Sequence, residues 1–315
     1  MRIKRLALNI AMIVVVAGLG SCSQQSPPQS SPSVPSTTAP TADDSSCGDA
    51  TASLRPPDAL PAVGNMPAGS FMATIAARGR LVVGTSQDTL LFSSRNPFTG
   101  SIEGFDIDVA RLIAQAVFGD PNKIQIVVIP NSDRIKDVQN GTVDLVAETM
   151  TINCQRRSAI DFSTVYYQAG QKILVPTTSS ATSLDDLGGK TVCAVAGSTS
   201  INAIVSSPAH PKLLTEPTWG ECLVAFQQNR ADAISTDDTI LAGLAAQDPY
   251  AKVVGPRFTD EPYGLGISQA HPEFTRFVNG VLAQARADGT LGQIADRWLS
   301  RYSTPAPLPE ARYRD

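Results

Sequence analysis

Short apolar runs alternate with helical patterns of apolar residues from residue 81 to residue 268. This alternation is typical of strand–helix units that build mainly parallel sheets. One helix pattern lies between residues 104 and 119, where Val109, Ile113 and Ala116 recur at helical spacing. The predicted strands are 81–85, 124–129, 143–147, 172–176, 191–195, 231–235, 252–254 and 264–268. The predicted helices are 104–119, 132–140, 201–206, 219–228, 237–246, 272–288 and 291–299.

The order of these elements predicts two lobes, because one strand–helix set precedes Tyr167 and a similar set follows Gln171. A last strand and the final helices follow Tyr263, so the simplest arrangement has two crossings between the lobes. We therefore expect an α/β fold in which each lobe is a mixed, mainly parallel sheet flanked by helices. Lobe one is predicted to comprise 70–167 and 264–302, lobe two 168–263, and a flexible Pro-rich tail 303–315.

The N-terminus has the pattern of an export signal. Basic residues precede an apolar run over 6–19, which ends in small residues before Cys22. The run has ~14 residues, fewer than the roughly 20 of a spanning helix, so residues 1–21 are interpreted as a signal peptide. Leu19-Gly20-Ser21-Cys22 resembles a bacterial lipobox, which implies a lipid-modified Cys22; the alternative is cleavage elsewhere with an incidental cysteine. Residues 22–69 are predicted to be a largely disordered, Ser- and Pro-rich tether.

Charge and cysteine content narrow the functional classes. The 25 Lys and Arg and 29 Asp and Glu residues give a net charge of −4 without a basic stripe, so nucleic acid is not an expected partner. Apart from Cys22, the cysteines are even in number and contain no C-x-x-C pair, which favours disulfides over a metal site. Cys193 and Cys222 are predicted to pair, which leaves Cys47 for Cys154; four free thiols are the alternative.

Several short motifs follow one another along residues 78–300. They are Leu81-Val82-Val83-Gly84-Thr85, Gly104-Phe105-Asp106-Ile107-Asp108, Val143-Asp144-Leu145, Thr151-Ile152-Asn153-Cys154-Gln155-Arg156, Asp161-Phe162-Ser163, Leu184-Asp185-Asp186-Leu187-Gly188-Gly189-Lys190, Gly197-Ser198-Thr199 and Ala231-Asp232-Ala233. Together they resemble the polar amino-acid-binding proteins of ATP-driven importers, which form solute-binding protein family 3. The chain looks most similar to the actinobacterial glutamate- and glutamine-binding lipoproteins. The resemblance implies a two-lobed fold of the type II periplasmic binding proteins.

The resemblance assigns one group of residues to the α-carboxylate of an amino acid. Arg156 follows Thr151 at the family's spacing and would grip the carboxylate with its planar fork, with Thr149 facing the same way. The alternative is that Arg156 is a surface residue. Ser198 and Thr199 would close on the same carboxylate from lobe two, although their turn also suits a helix cap.

The ligand's other groups are assigned less uniquely. Asp237 matches the family's acid for the α-ammonium group, with Asp238 as the alternative. Arg134 resembles an arginine that binds a distal carboxylate, or it is a solvated helix residue. Glu148 is an acid near this site and argues against a pure dicarboxylate preference.

The aromatic residue that covers the ligand in the family is missing from residues 86–91. Phe92 could shift to take its place, whereas Phe71 could be a core residue.

The sequence lacks the residue spacing that a catalytic Ser-His-Asp site would need. His210 and His271 each precede a proline, and the turn at 197–200 lacks the G-x-S-x-G spacing. We expect no catalytic residues, no metal and no cofactor. The sequence predicts a lipid-anchored, monomeric protein on the outer face of the cytoplasmic membrane. It would capture glutamate, aspartate, glutamine or asparagine for an ABC permease. The alternative is a sensor that signals through a membrane protein to a cytoplasmic Ser/Thr protein kinase.

Overall fold

The computed structural model describes residues 47–300 and 308–315. The predicted signal peptide (1–21), the lipidation site Cys22 and the first part of the tether lie outside the described residues. The α-helices are α1 (Phe71–Arg78), α2 (Phe105–Phe118), α3 (Arg134–Gln139), α4 (Cys154–Arg157), α5 (Ser200–Ser206), α6 (Trp219–Gln227), α7 (Asp238–Ala245), α8 (Pro272–Ala287) and α9 (Thr290–Leu299). The strands are β1 (Leu81–Thr85), β2 (Asp88–Thr89), β3 (Ser93–Arg95), β4 (Ile102–Glu103), β5 (Ile124–Val128), β6 (Leu145–Val146), β7 (Asp161–Phe162), β8 (Tyr167–Ala169), β9 (Gln171–Pro176), β10 (Thr191–Val195), β11 (Lys212–Glu216), β12 (Ala233–Asp237), β13 (Ala251–Val254), β14 (Glu261–Tyr263) and β15 (Gly266–Ile267).

Two five-stranded sheets share one topology. The first sheet has the order β5-β1-β6-β15-β7, and the second has the order β11-β10-β12-β9-β13. In each sheet the strand in the fourth place runs antiparallel to its two neighbours, and the other strands share one direction. The predicted mixed, mainly parallel sheets are therefore present.

A two-stranded ribbon of β8 and β14 lies where the chain passes between the sheets. Its antiparallel register pairs Tyr167 with Tyr263 and Ala169 with Glu261. Along the chain, β8 leads into β9 of the second sheet, and β14 leads into β15 of the first. The predicted lobe limits, after 167 and after 263, fall within this ribbon; as exact limits they stay a prediction.

Strand β1 illustrates why some strands of this fold are apolar along their whole length. Leu81 and Val83 pack in the core cluster that includes residues of α2, α8 and α9, whereas Val82 packs in a separate cluster. Because successive side chains of a strand point to opposite faces, a strand that is apolar throughout suits a sheet covered on both sides. The same explanation holds for β10, where Cys193 and Val192 belong to different clusters.

Elements without an apolar run were not predicted. Strand β11 pairs only with β10 in its sheet, at the edge, and its residues are exposed or half-buried. The short strands β2, β3 and β4 form a separate three-stranded sheet, which the sequence pattern also did not indicate.

Both ends of the described chain differ from the predicted tether and tail. Ser53 is buried, and its hydroxyl donates to the carbonyl oxygen of Phe162 at 2.6 Å. The C-terminal residues return to the same place, because the backbone N–H of Ser53 donates to Arg312 and that of Arg314 donates to Ser53. Residues 47–69 and 308–315 therefore form part of the folded body, since they supply these non-local hydrogen bonds.

Both predicted disulfides are present. Cys47 bonds to Cys154, which ties the start of the described chain to α4, and Cys193 of β10 bonds to Cys222 of α6. The second disulfide joins residues 29 positions apart within the core of the second sheet.

Replacing Cys193 and Cys222 together by serine should lower the free energy of unfolding by about 3 kcal/mol, because the cross-link restricts the unfolded chain. Urea denaturation of the oxidised protein and of the double variant measures this difference. An unchanged midpoint and slope would contradict it.

Candidate ligand-binding site

A small cavity, partly open to solvent and narrow enough to leave only about 10 Å³ of free volume, lies between the first and second sheets. It is lined by Asn131, Arg134, Thr149, Thr151, Arg156, Ser198, Thr199, Ser200, Trp219, Thr236, Asp237 and Ile240. All the residues predicted from the sequence to touch the ligand are in this set. Those that the sequence did not indicate are Asn131, Ser200, Trp219, Thr236 and Ile240.

A kinked segment after β6 brings Thr149, Thr151 and Arg156 to the cavity. Thr149 has a φ of 41°, in the left-handed region that non-glycine residues rarely adopt. Its N–H donates to the buried carboxylate of Asp106 at 2.7 Å, which holds the kink. Arg156 follows on α4, whose first turn is capped by the side chain of Asn153. The guanidinium then turns back to donate to the carbonyl oxygen of Thr151 at 2.7 Å.

Two buried guanidinium groups meet at one carbonyl oxygen across the cavity. Arg134 and Arg156 each donate to Gly197 of the second sheet's turn at 3.1 Å. Burial, followed by the charge of Arg134, lowers the pKa of Arg156 to about 9, so the group remains charged at neutral pH. Two cations that share one neutral acceptor would be stabilised by an anion between them.

Acidic groups face these cations. Asp237 is 4% exposed, and its Oδ2 accepts the hydroxyl of Tyr263, while its Oδ1 has no partner among the described residues. Burial, together with the nearby Glu261, raises the pKa of Asp237 well above its ordinary value. A positively charged donor placed beside Oδ1 would stabilise the ionised form.

The neighbouring acid has a different environment. Asp238 forms an ion pair with Arg257 at 2.6 Å and does not line the cavity. Of the two alternatives left by the sequence, the geometry therefore favours Asp237.

Hydroxyl groups complete the polar wall. Thr151 and Thr199, from opposite sheets, both donate to the same oxygen of Glu261, at 2.6 and 2.8 Å. The Oγ of Ser198 is buried and lacks a partner within the described chain. The cavity thus offers a free hydroxyl close to the two guanidinium groups.

The aromatic residue at the cavity is Trp219, at the start of α6, and not Phe92. Phe92 is fully buried and packs edge-on against Phe105, Tyr167 and Tyr263, so the expected shift of Phe92 is not seen. Phe71 stacks on His271 with ring centroids 3.8 Å apart, outside the cavity lining. The sequence signal for this aromatic residue of the cavity was a tryptophan at the start of a predicted helix.

A contact at the cavity's edge joins the two halves of the site. Asp88 of β2 accepts the N–H of Gly220, in the first turn of α6, at 2.7 Å. Because α6 also carries Trp219, this bond connects the aromatic wall to the three-stranded sheet of β2, β3 and β4. A carboxylate at the start of a helix is further stabilised by the helix dipole.

Metal binding and membrane crossing have no structural support in residues 47–300 and 308–315. No cluster of His, Cys, Asp and Glu side chains there is arranged to hold a metal ion. No helix in those ranges is both long enough and apolar enough to cross a membrane.

Comparison with known proteins decides the family. Residues 81–301 match the family model of bacterial extracellular solute-binding proteins, family 3. The chain belongs to this family. It is 37% identical over 229 residues to the ABC transporter glutamine-binding protein of Bacillus subtilis, covering 72% of this chain and 84% of that protein. It is 32% identical over 247 residues to the glutamate-binding protein of Corynebacterium glutamicum, covering 75% and 83%.

Solved structures support the fold. An ancestral arginine-binding protein bound to glutamine is similar with a TM-score of 0.66 and 32% identity, covering 70% of this chain and 98% of that one. The L-cysteine receptor of Neisseria gonorrhoeae has a TM-score of 0.72 at 24% identity, covering 76% and 99%, which bears on the fold alone. The expected type II binding-protein fold is confirmed.

Replacing Asp88 by alanine should weaken solute binding about tenfold, because the helix that carries Trp219 loses one charge-assisted hydrogen bond to β2. Calorimetric titration with the best-bound solute measures the change, and the order of preference among solutes should stay the same. The matched control is Asp58→Ala, since Asp58 is exposed and distant from the cavity lining. Equal affinities of the two variants would contradict the role of Asp88.

Proposed function

We propose that this protein captures a polar L-α-amino acid between its two sheets and presents it to an ABC importer. The observation that carries the proposal is the placement of Arg156 and Asp237 on opposite sides of one cavity. An α-amino acid is a zwitterion, so it needs an acceptor for its ammonium group and a donor for its carboxylate. The similarity to glutamine- and glutamate-binding proteins supports the same class of solute.

In this proposal the α-carboxylate lies against Arg156 and accepts hydrogen bonds from the hydroxyls of Ser198 and Thr199. Thr199 gives up its bond to Glu261 to make this contact. A guanidinium fork binds a carboxylate through two parallel hydrogen bonds, which an ammonium group cannot reproduce. Thr149 and Thr151 hold the same end of the ligand from the first sheet. The partnerless hydroxyl of Ser198 supports this assignment.

The α-ammonium group lies against Asp237, whose Oδ1 lacks a donor in the described chain. Arg134 of α3 is then assigned to the side chain of the ligand, as its resemblance to an arginine that binds a distal carboxylate implies. Burying an unpaired charge is costly, so these contacts favour the ligand-bound, closed arrangement. The ligand shifts the protein towards closure only through contacts made in that arrangement.

We further propose that Cys22 carries a lipid and that the segment after it tethers the body outside the cytoplasmic membrane. The tether keeps a monomeric binding body near its permease at high effective concentration. The disulfide of Cys47 ties that residue to α4, so the tether ends before Cys47 in this proposal.

Replacing Arg156 by lysine should weaken amino-acid binding at least about thirtyfold, because the buried carboxylate loses its paired donors. Calorimetric titration with the twenty amino acids measures binding by the wild type and the variant. The matched control is Arg157→Lys: Arg157 is the next residue, but it donates to the backbone of Asp49 and Ala50 rather than lining the cavity. No heat with any amino acid, or equal affinities of the two variants, would refute the proposed site.

Replacing Cys22 by serine should release the protein from the membrane fraction while leaving ligand affinity unchanged, since the lipid lies outside the folded body. Fractionation of cells and titration of the released protein test both parts. Retention of the variant in the membrane fraction would argue against the lipid anchor.

A further inference from the structure

Glu148 is a buried acid that directly precedes the cavity residue Thr149, and its carboxylate has no hydrogen-bond partner in the described chain. It is 1% exposed, and neither of its side-chain oxygens accepts a hydrogen bond from the described residues. It precedes Thr149 in the kinked segment, and its own backbone carbonyl accepts Arg134 at 2.9 Å. An unsatisfied buried carboxylate is costly, so its retention calls for an explanation.

The charged groups around Glu148 do not supply that partner. Arg134 is the strongest opposite charge acting on it, yet the described structure has no ion pair between the two, because Arg134 donates to the backbone carbonyls of Asn131, Glu148 and Gly197. Arg156 acts on it more weakly.

The nearby acids differ from Glu148 because their carboxylates accept hydrogen bonds. Asp106 of α2 accepts Tyr166 and the N–H of Thr149, and Asp88 of β2 accepts the N–H of Gly220. Within this group of acids, Glu148 is therefore the one without a donor.

We propose that Glu148 contacts the end group of the ligand's side chain and, when it is ionised, favours an amide over a carboxylate. The proposal rests on the function proposed above. A side-chain amide of glutamine or asparagine can donate an N–H to Glu148 while its oxygen accepts from Arg134. A side-chain carboxylate has no N–H to donate, and two facing carboxylates cannot both be ionised at low cost.

Protonation of Glu148 would remove its preference for an amide over a carboxylate. Burial raises the pKa of Glu148 to about 8; Arg134 opposes the rise, whereas Asp106 and Asp88 add to it. Below this pH the protonated acid can donate to a ligand carboxylate, and its carbonyl oxygen can still accept from an amide. Above this pH the ionised acid repels a carboxylate but still accepts from an amide. Glutamate binding therefore weakens relative to glutamine binding as the pH rises through the pKa.

Asp106 also titrates in this range, because burial raises its pKa to about 7. One of its oxygens accepts the hydroxyl of Tyr166, and the other accepts the N–H of Thr149. Thr149 belongs to the segment that holds the α-carboxylate end of the site. Its ionisation should thus affect glutamine and glutamate alike. The ratio of the two dissociation constants cancels this shared effect, so the charge of Asp106 enters the ratio only through the pKa of Glu148.

Calorimetric titrations of the wild type with L-glutamine and L-glutamate at about pH 6 and about pH 9 test the proposal. The dissociation constant for glutamate, divided by that for glutamine, should rise about tenfold over this range. A ratio that does not change with pH would overturn the role of Glu148. This measurement needs no variant, so it does not depend on how a substitution folds.

The variant Glu148→Gln provides a second test of the proposal. Its ratio should be independent of pH, and at about pH 9 it should favour glutamate about tenfold more than the wild type does, because an amide can donate to a carboxylate. Glu310→Gln is the matched control, since Glu310 is exposed and outside the cavity lining. A Glu148→Gln variant that keeps the wild-type ratio and pH dependence would overturn this inference alone, whereas a wild type that binds no amino acid would overturn the proposed function.

Discussion

The site depends on one electrostatic constraint: charges of both signs are buried around a small cavity, and the protein supplies too few partners for them. Arg134 and Arg156 converge on a single carbonyl oxygen, while Asp237 and Glu148 keep oxygens without donors. Such groups are costly in a dry interior, so a ligand of matching charge would stabilise the arrangement. A zwitterion with a polar side chain is the complement.

The two sheets bring these charges together because functional segments follow the carboxyl ends of their strands. The kinked segment follows β6, the Gly197 turn follows β10, and Asp237 ends β12. Open α/β sheets commonly bind ligands at this edge. The β8–β14 ribbon passes between the sheets next to the site, since its Tyr263 donates to Asp237 and its Glu261 accepts from Thr151 and Thr199. Hydrogen bonds therefore connect the ribbon directly to residues that line the cavity.

Local pattern was enough to predict some features and not others. The strand β1 and the helix α2 are encoded in short stretches, so apolar periodicity identified them, and the resemblance to the family identified the relation of Thr151 to Arg156. Trp219 was missed because its place at the cavity depends on the Asp88 contact, which is distant in sequence. The return of residues 308–315 to Ser53 and the edge strand β11 likewise depend on partners elsewhere in the chain. The sequence placed Glu148 near the site but could not show that its oxygens lack donors.

The central claim is that the cavity recognises both charges of an α-amino acid. Competition and titration with two analogues of L-glutamine test it most directly: 4-aminobutanamide lacks the α-carboxylate, and glutaramic acid lacks the α-ammonium group. Each analogue should bind at least about thirtyfold more weakly than L-glutamine, because each leaves one buried charge of the site unpaired. An analogue that binds as tightly as L-glutamine would contradict the assignment of that charge.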